Sequence, residues 1–351
     1  MGRMDRDESV AGVILAAGAA TRFGSPKAAA RVGSRTLLQI AVDTATAAGL
    51  TPVLAVVPPH LDVPAGVTAV TNVAPELGMS HSLRLGIAAV PADAVAAIVT
   101  LVDQPTVAPD HLQRILGARG RTPVVATQAG GVVGPPALLE RVAFSLVERA
   151  YGDAGLRQVL RDEPTLVTSV TLDDPIPDVD APIDLERITE ACPGCGARYL
   201  PHGHDETHPY IGASAACWAA YGELLAREFE DPAYGRVHRH SADTYAVQHP
   251  GSDAGPQRQS VALHLIAICH WLEHELPVER LNAITLRLAN EDREWPRLDP
   301  PEAYRMTVVD LLVARSGDEH LRLVRRWAET TWEAWAWHHP TVRAWANEAI
   351  R

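Results

Sequence analysis

A glycine turn followed by two cations lies near the start of the chain, in the stretch LAAGAATRFGSPK (15–27). Gly18 directly follows an apolar run, and a glycine at that point lets the backbone approach a ligand closely. Backbone N–H groups in such a loop bind phosphate oxygens, and Arg22 and Lys27 add positive charge suited to a polyphosphate. A strand-to-helix turn with two solvated cations is the alternative, and the loop alone leaves both interpretations open.

Carboxylates at two further places are candidates for a metal site. Asp103 follows the apolar run AAIVTLV, and the segment DVDAPID (178–184) carries three aspartates beside a proline. Mg²⁺ in proteins takes a few carboxylates together with substrate phosphates, so an acidic residue at the carboxyl end of a strand suits it. A turn or helix-capping role is the alternative for Asp103, and a solvated acidic loop is the alternative for 178–184.

Taken in order along about residues 10–190, these motifs resemble the MobA/MocA-like nucleotidyltransferases. The features that carry the resemblance are the LAAG stretch with its two cations, Asn72, GMSHSLRLG (78–86), the strand ending in D-Q-P, GDAGLR (152–157) and the acidic segment 178–184. The resemblance implies an enzyme that moves a nucleoside monophosphate from an NTP onto a phosphorylated acceptor. Molybdopterin cofactor is the implied acceptor, and pyrophosphate is released.

Residue roles follow from the resemblance, position by position. It implies that Lys27, Arg22 and Asp103 are catalytic. It also implies that Asp103 ligates Mg²⁺, with Asp180 as the favoured second ligand and Asp178 as its rival. The implied nucleotide-binding residues are Leu15, Ala16, Ala17, Gly18, Arg22, Lys27, Ser80, Ser82 and Asp103.

Base and acceptor are indicated by two details of the resemblance. Ala17 stands where the family reads LAGG in guanylyltransferases and LAAG in cytidylyltransferases, so it favours CTP, because a methyl group crowds a purine more than a pyrimidine. In GGVVGPPALL (130–139), Pro135 replaces a histidine of cytidylyltransferase-like relatives, and Val132 and Val133 replace polar residues. The alternatives are therefore another acceptor, such as a sugar phosphate, or a non-catalytic nucleotide- or metal-binding regulatory protein. A molybdoenzyme client is the implied protein partner.

A zinc site is expected in the second half of the chain. CPGCG (192–196) is a CxxC on a turn, and its spacing suits two thiolates on one zinc ion. Cys192 and Cys195 then need two more ligands, for which Cys217 and His202 are the candidates, with His204 and His208 as substitutes. Ordinary turn cysteines and a redox pair are the alternatives.

Histidines are dense in RVHRHSADTYAVQHPG (236–251) and indicate a second polar or metal site. Each histidine alone is more often a structural hydrogen-bonding residue than a ligand. CPxCG and YAVQHPG together resemble an uncharacterised domain family, which implies no activity. The candidate residues of this second site are His238, His240, Asp243, His249 and His264.

The elements that must position these residues change in type at about residue 190. Residues 1–190 have no Trp or Cys and three His, whereas residues 191–351 hold all eight Trp, all four Cys and twelve of the fifteen His. In 1–190, short apolar strands without alternation are separated by helical patterns, which predicts an α/β domain with a doubly wound, mostly parallel sheet. We therefore predict a Rossmann-like nucleotidyltransferase domain over 1–190 and a mainly helical His/Cys/Trp-rich domain over 191–351.

Charge and hydropathy exclude other function classes. The 351-residue chain has a net charge of −12, which argues against nucleic acid as a partner. No apolar run approaches the roughly 20 residues that span a bilayer, and the charged start MGRMDRDESV lacks the apolar stretch of a secretory signal. We expect a cytoplasmic protein with no membrane partner.

Overall fold

The computed structural model describes residues 9–18, 23, 26–172, 175–201 and 208–350. The chain divides into two units, Met1–Ile188 and Thr189–Arg351, which we call unit 1 and unit 2. The division lies next to the domain boundary predicted at about residue 190. Arg22, implied above to be catalytic and to bind the nucleotide, and the candidate zinc ligands His202 and His204 lie outside the described residues.

The described residues of unit 1 form nine strands, of which seven belong to one sheet. The strands are β1 (Val10–Leu15), β2 (Arg31–Val32), β3 (Arg35–Thr36), β4 (Val53–Val57), β5 (Thr68–Thr71), β6 (Ala96–Leu101), β7 (Val124–Ala129), β8 (Val132–Glu140) and β9 (Val167–Thr171). The order in the large sheet is β5-β4-β1-β6-β8-β7-β9, and β2 pairs with β3 separately. Strand β8 runs antiparallel to both of its neighbours, and the other pairs of the large sheet are parallel. The predicted α/β fold with a mostly parallel sheet is confirmed.

Helices cover this sheet, which explains the unbroken apolar strands. They are α1 (Leu37–Ala47), α2 (Met79–Ala88), α3 (Pro109–Gly117), α4 (Gly155–Asp162) and α5 (Pro182–Ile188). All six residues of β1 and all six of β6 are buried, as expected for strands with both faces covered. Leu15 and Leu101 pair at the ends of these strands, so the loops that follow β1 and β6 meet at one edge of the sheet.

One prediction in unit 1 is wrong. The stretch PALLERVAFSLVERA (136–150) has the apolar pattern that predicts a helix, but it continues β8 to Glu140 and then forms a 3-10 helix over Arg141–Arg149. Residues 134–139 are all buried, because β8 lies between β6 and β7 inside the sheet. A strand of this kind has no polar face, and its short apolar run cannot be told from a buried helix by periodicity.

Unit 2 is mainly helical, as predicted. Its helices are α6 (Ala215–Glu230), α7 (Pro232–Gly235), α8 (His238–Gln248), α9 (Gly255–His274), α10 (Val278–Ala289), α11 (Gly317–Ala334) and α12 (His339–Ala349), and its strands are β10 (Glu190–Ala191) and β11 (Arg198–Tyr199). Two local expectations fail. The many His, Cys, Pro and Gly residues of 192–258 predict loops, but this segment contains α6 and α8. The apolar spacing of YRMTVVDLLVA (304–314) predicts a helix, but only a 3-10 turn forms there. The side chains of Thr307 and Asp310 cap that turn.

Bilayer-spanning elements are not found in the described ranges. No helix there combines the length and the apolar character that a membrane span requires.

Helix α2 approaches β1 closely at Gly86, and this contact sets the helix above the end of the sheet. A Cβ atom added at Gly86 would lie 2.5 Å from Val13 Cγ1 and 3.0 Å from Val56 Cγ2. We expect Gly86→Ala to lower the free energy of unfolding of unit 1 by about 1–2 kcal/mol, since overpacking outweighs the gain in helix propensity. Denaturant unfolding of the full chain measures the change. Gly117→Ala, where a Cβ meets no atom within 4 Å, is the control and should stay within about 0.5–1 kcal/mol of the wild type; equal effects of the two substitutions would contradict this account.

Candidate functional site

A cavity of about 350 Å³ opens at the carboxyl ends of β1 and β6, and we call it the first cavity. This is the edge at which open α/β sheets bind ligands. Its wall consists of Leu15, Ala16, Ala17, Gly18, Lys27, Pro75, Glu76, Gly78, Met79, Ser82, Leu101, Val102, Asp103, Asp153 and Asp180. Of the described residues that the resemblance assigned to the nucleotide, all but Ser80 belong to this wall; Ser80 is buried beside it, on α2.

Lys27 is the centre of the charge arrangement in the first cavity. Its Nζ lies 3.0 Å from Asp103 Oδ2 and 3.0 Å from Asp180 Oδ1, so one ammonium bridges two carboxylates. Lys27 is the first residue of the 3-10 helix Lys27–Ala29, in which the side chain of Ala28 is buried. Burial lowers the pKa of Lys27, but the two carboxylates more than offset it, so the net pKa is raised and the amine stays charged. Lys27 is also the only lysine in the sequence, beside thirty arginines.

Asp103 has one carboxylate oxygen satisfied and one not. Its Oδ2 accepts from Lys27, whereas its Oδ1 is buried and has no hydrogen-bond partner among the described residues. Burial raises the pKa of Asp103, and Lys27 opposes that shift. A buried oxygen without a partner is rare in proteins, and a carboxylate in this state suits a bound cation.

The acidic segment places its aspartates on different sides. The backbone N–H of Val179 donates to the carbonyl of Asp103 at 2.8 Å, which fixes the segment beside the end of β6. Asp180 then faces the first cavity and Asp178 faces away. Asp184 holds Asp180 in place, because its Oδ2 accepts from the N–H groups of Asp180 and Ala181 at 3.0 and 2.9 Å, and these bonds lower the pKa of Asp184.

Asp178 belongs to a second cavity of about 280 Å³. Gln104 Nε2 donates to Asp178 Oδ1 at 3.0 Å, and Arg157 lies 3.4 Å from its Oδ2. Pro135, the residue at which the sequence departs from its relatives, lines the same cavity, as do Gly134 and Val132. Between the two candidates for the second ligand, Asp180 is therefore the one that shares Lys27 with Asp103.

Two carboxylates of the first cavity were not recognised as site residues from the sequence, Glu76 and Asp153. Asp153 accepts from the N–H of Met79 at 3.3 Å, at the start of α2. Gly78 has a φ of +83°. A Cβ atom added there would lie 2.8 Å from both Asp153 Oδ1 and the backbone carbonyl carbon of Gly152. The GDAGLR motif contains Asp153, so this motif was the signal, but nothing in the sequence shows that it meets the start of α2.

Unit 2 contains a Cys/His cluster formed by Cys192, Cys195, Cys217 and His249. One ligand atom from each lies within 4.8 Å of all the others, and all four residues are buried, so the group can hold a divalent metal. Three of the four predicted ligands are thus together. The fourth in the structure is His249, which was assigned to a different site; the predicted His202 lies outside the described residues.

The five residues expected to form one further site belong to separate contacts. His249 is in the Cys/His cluster, and His264 Nδ1 pairs with Asp243 Oδ1 at 2.6 Å. His240 stacks on Trp271 with ring centroids 3.6 Å apart, and its burial lowers its pKa to about 4. His238 contacts Glu228 at 3.0 Å. A single His/Asp site is therefore not formed by these described residues.

Comparisons with known proteins agree with the division into two units. Residues 12–168 match the family model of the MobA-like NTP transferase domain, and residues 190–336 match a family of unknown function (DUF5946). Both resemblances stated from the sequence are confirmed. No curated protein matches the chain.

Solved structures similar to the chain cover about half of it. Rv0371c from Mycobacterium tuberculosis is 28% identical, with 52% of this chain and 97% of that chain covered and a TM-score of 0.47. A structure of the same protein in complex with manganese is 28% identical over 51% of this chain and 97% of that chain, with a TM-score of 0.44. The 2-C-methyl-D-erythritol 4-phosphate cytidylyltransferase from Thermus thermophilus is 21% identical over 51% of this chain and 96% of that chain, with a TM-score of 0.42.

The position of Lys27 predicts competition between its ammonium and a divalent cation for the same two carboxylates. We expect Lys27→Met to bind Mn²⁺ about tenfold more tightly than the wild type, which corresponds to ~1.4 kcal/mol. Asp103→Asn should bind it much more weakly. Titration of Mn²⁺ followed by electron paramagnetic resonance measures both affinities without any turnover. Arg149→Met, which removes an exposed cation paired with Glu163, is the matched control, and weaker Mn²⁺ binding by Lys27→Met than by this control would contradict the competition.

Proposed function

We propose that unit 1 transfers a nucleoside monophosphate from an NTP onto a phosphorylated acceptor and releases pyrophosphate. The observation that carries the proposal is the Lys27 ammonium held at 3.0 Å by both Asp103 and Asp180 in a cavity at the carboxyl edge of the sheet. Carboxylates bind a divalent metal, and a lysine beside them binds the phosphates of a nucleotide. Asp103, Asp180 and Lys27 provide both types of group at one point. The match of residues 12–168 to the NTP transferase family supports this function.

The ligand types favour Mg²⁺ as the metal of unit 1. Asp103 and Asp180 offer hard carboxylate oxygens, and the buried Asp103 Oδ1 has no partner among the described residues. When bound, Mg²⁺ neutralises the triphosphate and stabilises the charge on the departing pyrophosphate. The thiolate and imidazole donors of unit 2 favour zinc by the same reasoning, and that proposal is independent of the transfer reaction.

The reaction needs positioning and charge stabilisation from this chain rather than proton transfer. An oxygen of the acceptor phosphate forms a bond to the α-phosphorus, while the bond between that phosphorus and the oxygen bridging to the β-phosphorus breaks. The acceptor phosphate is already ionised at neutral pH, so no general base is required. Lys27 holds the phosphate oxygens and stabilises the negative charge that develops on them.

We propose CTP as the preferred nucleotide and molybdopterin cofactor as the acceptor. Ala17 is buried, at 2% exposure, and lines the first cavity, which supports selection of the smaller base. Arg157 contributes positive charge to the second cavity, which supports a phosphorylated acceptor there. Pro135 and Val132 in the same wall offer no side-chain donor to a pterin, and this observation favours a sugar phosphate as the second candidate.

The transfer proposal predicts a loss of turnover in two variants that remain folded. Lys27→Met and Asp103→Asn should lower pyrophosphate release by about 10²–10³-fold, the usual cost of removing one charge-stabilising group. The assay measures pyrophosphate with each of the four NTPs and a panel of molybdopterin and sugar-phosphate acceptors, and the unfolding midpoint is recorded for each variant. Arg149→Met is again the control. Wild-type turnover in either site variant contradicts the assignment, and NTP binding without pyrophosphate release in the wild type supports a regulatory protein instead.

Base selection by Ala17 predicts a change in specificity without a change in chemistry. Removing the methyl group should enlarge the cavity wall, so Ala17→Gly should lower the ratio of kcat/KM for CTP to that for GTP by about tenfold, within the ~1–3 kcal/mol that one carbon is worth in a pocket. Ala11→Gly, at a buried position of β1 that does not line the first cavity, is the matched control. An unchanged ratio in Ala17→Gly means that another group selects the base, while the transfer reaction itself stands.

A further inference from the structure

We propose that Cys192, Cys195, Cys217 and His249 bind one zinc ion in a closed, four-ligand site that holds three segments of unit 2 together. The proposal concerns the fold of unit 2 and does not depend on nucleotidyl transfer. It rests on the spacing of the donor atoms, the orientation of the imidazole, the burial of the ligands and the tight packing of the CPGCG turn against α8.

The spacing of the donor atoms fits a tetrahedral zinc site. Zn–S bonds of about 2.3 Å and Zn–N bonds of about 2.0–2.1 Å give tetrahedral edges of roughly 3.8 Å between two sulfurs and roughly 3.6 Å between a sulfur and a nitrogen. In the structure, Cys195 Sγ and Cys217 Sγ are 3.7 Å apart, and Cys217 Sγ and His249 Nε2 are 3.4 Å apart. A disulfide requires sulfurs at about 2.05 Å, so the cysteines are not cross-linked.

Hydrogen bonds around the cluster orient its ligands. His249 Nδ1 lies 2.7 Å from the carbonyl oxygen of Tyr245, which can only accept, so Nδ1 donates and Nε2 is the ring nitrogen that faces Cys217 Sγ. This is the usual outer contact of a metal-binding histidine. Ser214 N–H donates to Cys192 Sγ at 3.4 Å, and the Tyr245 hydroxyl donates to Cys217 Sγ at 3.5 Å. Such donors stabilise thiolates.

Burial and chemistry indicate a structural zinc ion rather than a catalytic one. The four residues are between 0% and 4% exposed, and four protein ligands complete a tetrahedron without an open position. Three thiolate sulfurs held this close together repel one another, since Cys195 Sγ and Cys217 Sγ are only 3.7 Å apart. A divalent cation among them removes that repulsion, and soft thiolates select zinc over magnesium.

The ligands come from three segments of unit 2, which also share a hydrophobic cluster that includes Tyr199, Tyr221 and Tyr245. Cys192 and Cys195 lie on the turn between β10 and β11, which are only two residues long each. Cys217 lies in the first turn of α6, and His249 caps the end of α8. The turn packs tightly on α8. A Cβ atom added at Gly194 would lie 2.4 Å from His249 Cδ2 and 2.7 Å from the Gln248 carbonyl oxygen. Metal binding therefore contributes directly to the folding of this region.

The fourth cysteine, Cys269, bears on how many zinc ions the chain binds. Cys269, Glu273 and His274 also lie close enough for a metal. Glu273, however, already accepts from Arg343 at 2.7 Å and from the Trp332 indole at 3.1 Å, and the group has only one thiol. We therefore expect one zinc ion per chain, and Cys269 provides a matched control for the cluster cysteines.

The test measures metal in the purified full chain by mass spectrometry, with Co²⁺ substitution as a second readout. The wild type should hold one zinc ion and give the visible bands of tetrahedral Co²⁺ with thiolate charge transfer. Cys217→Ser and His249→Ala should lose the metal, whereas Cys269→Ser and His202→Ala should retain it. A wild type without zinc when purified from zinc-supplied cells, or loss of zinc in Cys269→Ser, overturns the proposal. Loss of zinc in His202→Ala together with its retention in His249→Ala overturns the ligand set.

Two further measurements keep the test decisive where a variant fails to fold. His249→Cys retains four ligands, so it should keep zinc and shift the Co²⁺ bands towards those of a four-thiolate site; unchanged bands would show that residue 249 is not a ligand. In the wild type, chelation of zinc should lower the melting temperature of unit 2 and leave the melting temperature of unit 1 unchanged. The transition of unit 1 is identified by its rise when an NTP is added. Equal shifts of both transitions, or no shift in unit 2, contradict the structural role.

Discussion

An ammonium group held between two carboxylates is the interaction on which the arrangement of unit 1 depends. Asp103 and Asp180 come from segments 77 residues apart, and both approach Lys27 Nζ to 3.0 Å. Two carboxylates that both lie next to one point repel each other when no cation is between them. The side chain of Asp103 is also largely buried. The pairing of β1 with β6, the bond from Val179 to the Asp103 carbonyl and the bonds to Asp184 all bring these groups to one place. The sheet serves as a rigid frame for one cluster of charges.

Much of unit 1 could be predicted from the sequence, because parallel strands bring their carboxyl ends to one edge. The apolar runs before Gly18 and Asp103 indicated the ends of two strands, and the resemblance to the nucleotidyltransferases implied that Lys27, Asp103 and Asp180 share one site. Only the resemblance favoured Asp180 over Asp178, since the physical reason is the bond that fixes Val179 beside Asp103, which the sequence does not show. Strand β8 was missed for a related reason: a central strand has the same apolar pattern as a buried helix.

Unit 2 shows why histidine density is a poor guide to a site. Glu228 has a fully buried side chain, and it accepts from Ser241 at 2.5 Å, His320 at 2.8 Å and His238 at 3.0 Å. These contacts join α6, α8 and α11 and satisfy a carboxylate in the interior, which is a structural task. His249 differs only in its neighbours, since the sulfurs that it faces come from the CPGCG turn and α6. Sequence spacing found the CxxC, but a ligand 54 residues beyond Cys195 is identified only by the fold.

The presence of a single lysine in 351 residues gives the candidate site a natural spectroscopic label. Thirty arginines carry the rest of the basic charge, and their guanidinium groups differ from an amine in both nitrogen resonance and reactivity. Protein grown with isotopically labelled lysine therefore carries one labelled side chain, at the point where the two carboxylates meet. Its ammonium signal reports on that point alone, in the complete chain and without any substitution, so each nucleotide or metal added to the sample can be followed at one atom.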